Sequence, residues 1–352
     1  MRIVIWLFAL ALAAPGFTQP QYEVVDLTAK FGQFFVPIDI NNKGVIVGGT
    51  GEGACVVENG VLTLLPKYKG HFWAPTEIAD NGDVLGHSTL FTGIEHTLLY
   101  RDGKVIDIGI AGTSNFAAGQ GLNNLGQISG GNGTNAFIWE DGKTTLLPSP
   151  FPGTALGLND SGTAVGVMSN VGVEQFAVRW INGVFDDISP AWASDSQALE
   201  VNENGEVVGW AIANQGGYRA VLWRDGKPVD LGDFGGGIGR AYDINFASQI
   251  VGLASEANMP IEGFLWEEGV MYRLTDLIGP HPGFDWLENA FSINGQGSIL
   301  TSAAGGTQVG HYLLLNPVPE PSSATTAVAG VLTICAMKRF SRNKQGRGRK
   351  SK

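Results

Sequence analysis

Along most of the chain, apolar residues fall in short runs rich in Val, Ile, Leu and aromatics, separated by turns built from Gly, Asn and Asp. Short runs bounded by turn formers predict strands rather than helices. One phrase recurs: an apolar residue, usually Asn, two variable positions, usually Gly, then an apolar run. It first reads Ile40-Asn41-Asn42-Lys43-Gly44-Val45-Ile46-Val47-Gly48. It returns at Ile78-Ala79-Asp80-Asn81-Gly82, Leu122-Asn123-Asn124-Leu125-Gly126, Leu158-Asn159-Asp160-Ser161-Gly162, Val201-Asn202-Glu203-Asn204-Gly205, Ile244-Asn245-Phe246-Ala247-Ser248 and Ile293-Asn294-Gly295-Gln296-Gly297. The fifth residues of these phrases are spaced by 38, 44, 36, 43, 43 and 49 positions. A period of this size with strand contents is a propeller signal.

A second phrase lies between the first ones, as in Ala136-Phe137-Ile138-Trp139-Glu140-Asp141-Gly142 and Ala220-Val221-Leu222-Trp223-Arg224-Asp225-Gly226. Variants occur at Thr97–Gly103, Gly263–Gly269, Ala177–Gly183 and Cys55–Gly60. Each is a short strand followed by an Asx-Gly type pair, which supplies the positive φ angles of a tight hairpin. Further short strands follow at Val105-Ile106-Asp107-Ile108, Val229-Asp230-Leu231 and Leu274-Thr275-Asp276-Leu277. One unit therefore reads as strand a ending at the Asn, a turn at the Gly, strand b, strand c, a hairpin and strand d. A lone strand d at Tyr22–Leu27, six full units and a final a-b-c set ending in His311–Leu315 add up to seven blades. The expected fold is all-β, a seven-bladed β-propeller of four-stranded blades spanning residues 20–316 and closed by the N-terminal strand.

These repeated residues resemble the HAF-repeat extracellular proteins, named for a His-Ala-Phe phrase. The resemblance covers roughly residues 22–316, although His96-Thr97-Leu98 keeps only the His and Asn135-Ala136-Phe137 only the Ala-Phe. It implies a fold and an address and carries no catalytic residue.

Both ends add to the address. Residues 1–19 read as a secretory signal peptide, with Arg2 before an apolar stretch and small residues placing cleavage between Ala13 and Gln19. At the other end, Val318, Pro319, Glu320 and Pro321 precede an uncharged stretch from Ser322 to Met337 and a basic end beginning at Lys338-Arg339. The stretch is shorter than the roughly 20 residues of a typical span, so it predicts a marginal, transient anchor with its basic end in the cytoplasm. Residues 317–352 resemble the PEP-CTERM sorting tail, which implies processing by an exosortase-type enzyme and delivery to the cell surface or the extracellular space.

Composition narrows the chemistry. Glycine accounts for 51 residues with no G-X-Y period, and the only cysteines are Cys55 and Cys335, too few for a disulfide scaffold. Eight of the 22 Lys and Arg lie in 338–352 and one is Arg2, so the body keeps 13 against 32 acids, a net charge of −19. That field disfavours a nucleic-acid partner. The five histidines, His71, His87, His96, His281 and His311, have no metal-ligand spacing, and Asp102, Asp141 and Asp225 are explained by their turns. Asn159-Asp160-Ser161-Gly162-Thr163 shares part of the Asp-box turn of sialidase propellers but lacks its Trp. No cofactor, metal site or catalytic residue is predicted. Among the tryptophans, Trp139, Trp180, Trp223 and Trp266 hold one strand-c position and read as blade packing, whereas Trp192, Trp210 and Trp286 fall outside that register and are candidate ligand platforms. Cys55 reads as a buried apolar filler. The expected function is a non-enzymatic scaffold for a polysaccharide or envelope protein, with a propeller lyase or glycosidase acting on envelope glycans as the alternative.

Overall fold

The computed structural model describes residues 19–89, 95–109, 118–170, 174–281, 283–305 and 310–319. Residues up to 317 and those from 318 onward are separate units. Residues 1–18 of the proposed leader (1–19) and most of the sorting tail, including Glu320 and Pro321, lie outside the described residues. Pro317 ends the last strand, and Val318 and Pro319 are exposed. Among the described residues no helix is long and apolar enough to cross a membrane.

The body is a β-propeller of seven four-stranded antiparallel sheets. Blade 1 runs through Val36–Ile40, Ile46–Thr50, Gly53–Glu58 and Val61–Leu64, each strand paired with the next in sequence. The strands a of the following blades are Ala74–Ile78, Ala118–Leu122, Gly153–Leu158, Ala193–Val201, Gly239–Ile244 and Trp286–Ile293. Blade 7 takes its fourth strand from the start of the chain: Tyr22–Asp26 pairs antiparallel with His311–Pro317, Val25 opposite Leu314 and Asp26 opposite Leu313. The expected closure is therefore present.

Two elements differ from the sequence reading. The first strand stops at Asp26, whose side chain accepts the Ala29 N–H at 2.8 Å and caps a one-turn helix, Leu27–Phe31. The last strand of blade 6 is Val270–Arg273, starting directly after the hairpin glycine, and Leu274–Leu277 is a 3₁₀ turn. Leu274 and Leu277 are both fully buried. A three-residue spacing brings them to one side of a 3₁₀ turn, which alternation along a strand would not do.

The hairpins confirm the turn chemistry. Asn59, Asp102, Asp141, Asn182, Asp225 and Glu268 have φ between 45° and 53°, and each precedes a positive-φ glycine. Asp102, Asp141 and Asp225 thus have structural work in the turns.

Every strand a also carries a β-bulge, three residues before the repeat Asn, as at Pro37/Asp39 and Ala241/Asp243. The bulge drives a strand-a carbonyl toward strand b, and the second glycine of the repeat phrase makes room for it. A Cβ on Gly166 would lie 2.0 Å from the Thr154 oxygen, and one on Gly252 2.0 Å from the Arg240 oxygen. The core consists of clusters lying between successive blades. Trp139, Trp180, Trp223 and Trp266 are buried there, and the Trp180 and Trp223 indoles donate to Pro148 and Ile188 of the preceding blade at 2.7 and 2.6 Å. The packing assignment for the strand-c tryptophans holds. Cys55 is fully buried, with its thiol pushed up to about 11 by burial, as a filler should be.

Candidate functional site

Strand a is the innermost strand of each blade, so its inner edge faces the propeller axis with backbone donors and acceptors that no ladder uses. The repeat asparagines satisfy them. Asn41, Asn123, Asn159, Asn202, Asn245 and Asn294 are all buried. Each Nδ2 donates to the carbonyl of the equivalent residue one blade on: Asn159 to Asn202 at 2.9 Å, Asn202 to Asn245 at 3.0 Å, and Asn294 to Asn41 across the closure at 3.2 Å. Each Oδ1 accepts from its own turn, as from Lys43 and Val45 N–H to Asn41, both at 3.0 Å. One residue therefore fixes its turn and stitches two blades. Blade 2 has Ala79 instead, and Asn81 donates to the Asn124 carbonyl at 3.2 Å.

A second polar ring lies one residue later. Asn42 pairs with Asp80, Asp80 N–H with Asn124, Asn124 with Asp160, and Asp160 N–H with Glu203, at 2.7–3.1 Å. Exposed Phe246 and Gly295 occupy the equivalent places in blades 6 and 7.

Deeper in, two residues before the repeat Asn, four blades carry acids: Asp39, Glu77, Glu200 and Asp243. Blades 3 and 4 have Gly121 and Gly157, where an added Cβ would lie 2.6 and 2.8 Å from the next blade's carbonyl. The carboxylates bridge blades. Asp39 accepts from Ile40 and Ile78 N–H at 2.8 and 2.9 Å and from the Ser292 hydroxyl at 2.7 Å. Asp243 accepts from Ile244 and Ile293 N–H, both at 2.7 Å. Together these rows line an axial cavity of about 390 Å³ whose wall, among the described residues, contains no Lys, Arg or His. Burial and mutual repulsion favour the neutral acid. Burial, then Asp243, pushes Glu200 up to about 8, and burial, then Asp39, pushes Asp243 up to about 7. Burial raises Asp39, and burial with the Glu200 charge raises Glu77 well above the usual carboxylate range. Such carboxyls can donate a proton or hydrogen bond near neutrality, or accept a cationic group. No cluster of three or more metal-ligating side chains occurs among the described residues.

The opposite end of the blades carries the crossings from each strand d to the next strand a. Every crossing brings an aromatic residue: Phe34, Phe72, Phe151, Trp192, Phe234 and Phe284, with Phe116 outside the described residues. They divide into two groups. Phe34, Phe72 and Phe151 are 71%, 53% and 38% exposed. Trp192, Phe234 and Phe284 are half-buried against the interblade clusters, with Arg273 over Phe234 and His281 stacked on Phe284. A second cavity, about 370 Å³, opens between blades 1 and 2 and is lined by Phe72, Trp73, Thr50, His87 and Ser88. Ile38 lines both cavities.

The three predicted platforms are not brought together. Trp192 packs into the cluster between blades 4 and 5. Trp210 sits edge-on to Tyr218 at 5.4 Å, with Arg240 4.2 Å from the Tyr218 centroid. Trp286 is half-buried at the start of the last strand a. None of them lines either cavity. The acid row was missed, and of the crossing aromatics only Trp192 was anticipated; writing the seven units under one another shows the acids two residues before the repeat Asn position and Phe34, Phe72 and Phe151 two residues before strand a.

No family model matches the sequence, and no curated protein matches it. Solved propellers share its fold. The β-propeller domain of the Trilobed protease from Pyrococcus furiosus, described as having an open velcro topology, superposes with a TM-score of 0.56 at 10% identity, covering 82% of this chain and 99% of that one. Catalytically inactive virginiamycin B lyase from Staphylococcus aureus with quinupristin gives 0.52 at 11% identity, covering 85% and 100%. YCF48 bound to D1 peptide gives 0.50 at 13% identity, covering 88% and 100%. At these identities the likeness is one of fold.

Proposed function

We propose that this propeller is exported and serves as an interaction scaffold, holding a polysaccharide or protein ligand at its crossing face without transforming it. The observation that carries the reading is the exposed aromatic set Phe34, Phe72 and Phe151, held on short crossings of a rigid ring. Exposed aromatics on a fixed scaffold are recognition elements, and similar sites repeated around a ring bind a repeating ligand with avidity. Export rests on the leader at 1–19. Processing by an exosortase-type enzyme at the cell surface, after transient membrane anchoring, rests on the motif Val318, Pro319, Glu320, Pro321 and its tail. A glycan array probed with the full chain, followed by hydrolysis assays on each hit, tests the reading. Retention without turnover, lost in the Phe34→Ala/Phe72→Ala/Phe151→Ala variant, supports it; retention unchanged in that variant overturns it.

A second reading, glycosidase or lyase action on envelope glycans, is favoured by Glu200 and Asp243, whose raised carboxyls suit general acid chemistry. Turnover abolished by Glu200→Gln would establish it in place of the first.

A further inference from the structure

The crossing between blades 1 and 2 differs from the rest of this acidic body. Residues 66–73 read Pro-Lys-Tyr-Lys-Gly-His-Phe-Trp, so two of the body's 13 Lys and Arg and one of its histidines fall within eight positions. The segment is an ordered hairpin. Tyr68 and His71 exchange backbone hydrogen bonds at 3.1 and 2.8 Å around Lys69 and Gly70, both at positive φ. Its base is pinned at two points: Trp73 Nε1 donates to the Pro66 carbonyl at 2.9 Å, and the Tyr68 hydroxyl donates to Asp107 at 2.6 Å. Asp107 is also held by His96 at 2.8 Å. Burying Tyr68 and Trp73 leaves Lys67, Lys69 and Phe72 exposed. Lys67 Nζ lies 4.3 Å from the Phe72 ring centroid, and Phe72 forms a wall of the 370 Å³ cavity.

That cavity lies within the size range of small-ligand sites, about 300–1,000 Å³. Its lining combines an aromatic wall with Thr50, Ser88 and His87, and the Lys67 ammonium lies beside it, over the Phe72 ring. Asp107 is engaged as described, and Glu52 is exposed on the blade 1 turn, next to the lining residue Gly53.

We propose that this cavity is a subsite for a saccharide unit bearing a carboxylate, a uronate, with the pyranose face against Phe72 and the carboxylate on Lys67. This rests on the crossing face being the ligand face. The chemistry favours a sugar over an acidic peptide because the cavity, open to one side between the two blades, has a flat aromatic wall with the Thr50 and Ser88 hydroxyls beside it. A pyranose offers axial C–H groups on one face and polar groups around its edge, matching both features. One charge-assisted hydrogen bond from Lys67 accounts for selectivity, and the local cations offset the general negative field over a Debye length of about 8 Å.

The test is titration of the full chain with uronate tetrasaccharides (galacturonate, mannuronate and glucuronate) and with their methyl esters, which keep the rings and remove the charge. The expected result is preference for one acid over its ester by about tenfold, the scale of a single charged hydrogen bond. Lys67→Gln should abolish the preference and leave affinity for the ester unchanged, whereas Phe72→Ala should weaken both. Equal affinity for acid and ester, no binding of any member of the panel, a preference that survives Lys67→Gln, or tighter binding of a poly-Glu peptide would overturn the proposal. Array hits that depend on the crossing aromatics but show no acid preference would overturn this subsite alone; hits indifferent to those aromatics would overturn the scaffold reading beneath it.

Discussion

At the scale of single residues, the repeat Asn matters most because it is buried and fully used. Asn202 accepts from Asn204 and Glu206 N–H, both at 3.0 Å, and donates to Asn245 O and Glu206 Oε2 at 3.0 and 2.9 Å. Asn202→Ala strands several of these partners away from water, so stability should fall by about 2–3 kcal/mol. Asn204→Ala, at an exposed position, should stay within about 0.5 kcal/mol; urea midpoints of the two variants check the difference. The axial acids act in the opposite sense. Asp39, Glu77, Glu200 and Asp243 have folded pKa values raised above their unfolded ones, so the folded state binds more protons through the intervening range. Their contribution is fully present below the unfolded carboxylate range, near 4. It is lost as pH rises through about 7 for Asp243 and about 8 for Glu200. Melting temperature should therefore decline from about pH 5 to about pH 8, and Glu200→Gln should shallow that slope. A flat profile in the parent chain would mean that the four carboxylates do not repel across the channel.

At the scale of strands and turns, the repeat shows what an exception costs. Six blades donate through the repeat Asn, and blade 2, with Ala79, does not. The Ala79 backbone keeps the same turn: its N–H bonds the Asp83 carbonyl at 3.0 Å, as Asn41 N–H bonds Val45 at 3.1 Å. Ala79→Asn should complete the ring and add about 1 kcal/mol; a melting temperature unchanged or lowered would show that Arg101, bonded to Asp83 at 2.6 Å and to the Gly126 carbonyl at 3.3 Å, already does that stitching. The strands, the hairpins and their number were legible in the sequence because alternation and Asx-Gly turns are local signals. What the repeat residues do was not. Asn41 reads as a strand end, and its partner Ala79 lies 38 residues away, a distance that only the packing of one blade on the next removes. The acid row escaped for the same reason: Asp39 and Asp243 are ordinary acids until the axis brings them together. Strand d of blade 6 was misplaced because Leu274-Thr275-Asp276-Leu277 has strand composition, and burial of both leucines on one side selects a 3₁₀ turn. The candidate tryptophans were chosen for being out of register; Trp192 packs against an interblade cluster, Trp210 stands beside Tyr218 and Trp286 starts a strand, and none of them lines either cavity. The exposed phenylalanines sit in register on the crossings.

At the scale of the whole molecule, blade 7 is tied to the rest of the ring in two ways. At the axis, Asn294 reaches Asn41, Ser292 reaches Asp39 and Gly295 N–H reaches Asn42 at 2.5 Å. At the rim, Tyr22–Asp26 forms a five-pair ladder with His311–Pro317, His311 meets Asp26 at 2.7 Å, and Tyr312 N–H donates to Thr28 at 2.8 Å. The rim carries more apolar burial: Tyr22 and Leu27 are buried, and with them Leu313 and Leu315 on the strand they cover. Losing the rim strand would bare an edge and its apolar faces, whereas the axial bonds are polar and few. The proposed leader cleavage between Ala13 and Gln19 spares this strand, and a cut a few residues later would not. A chain beginning at residue 28 should therefore melt well below the parent and associate through its open edge, and a peptide of residues 20–31 added in trans should restore monomeric behaviour, as read by light scattering. If the shortened chain keeps the parent's melting temperature without the peptide, the axial stitches alone hold the ring, and the first strand is an ornament on it.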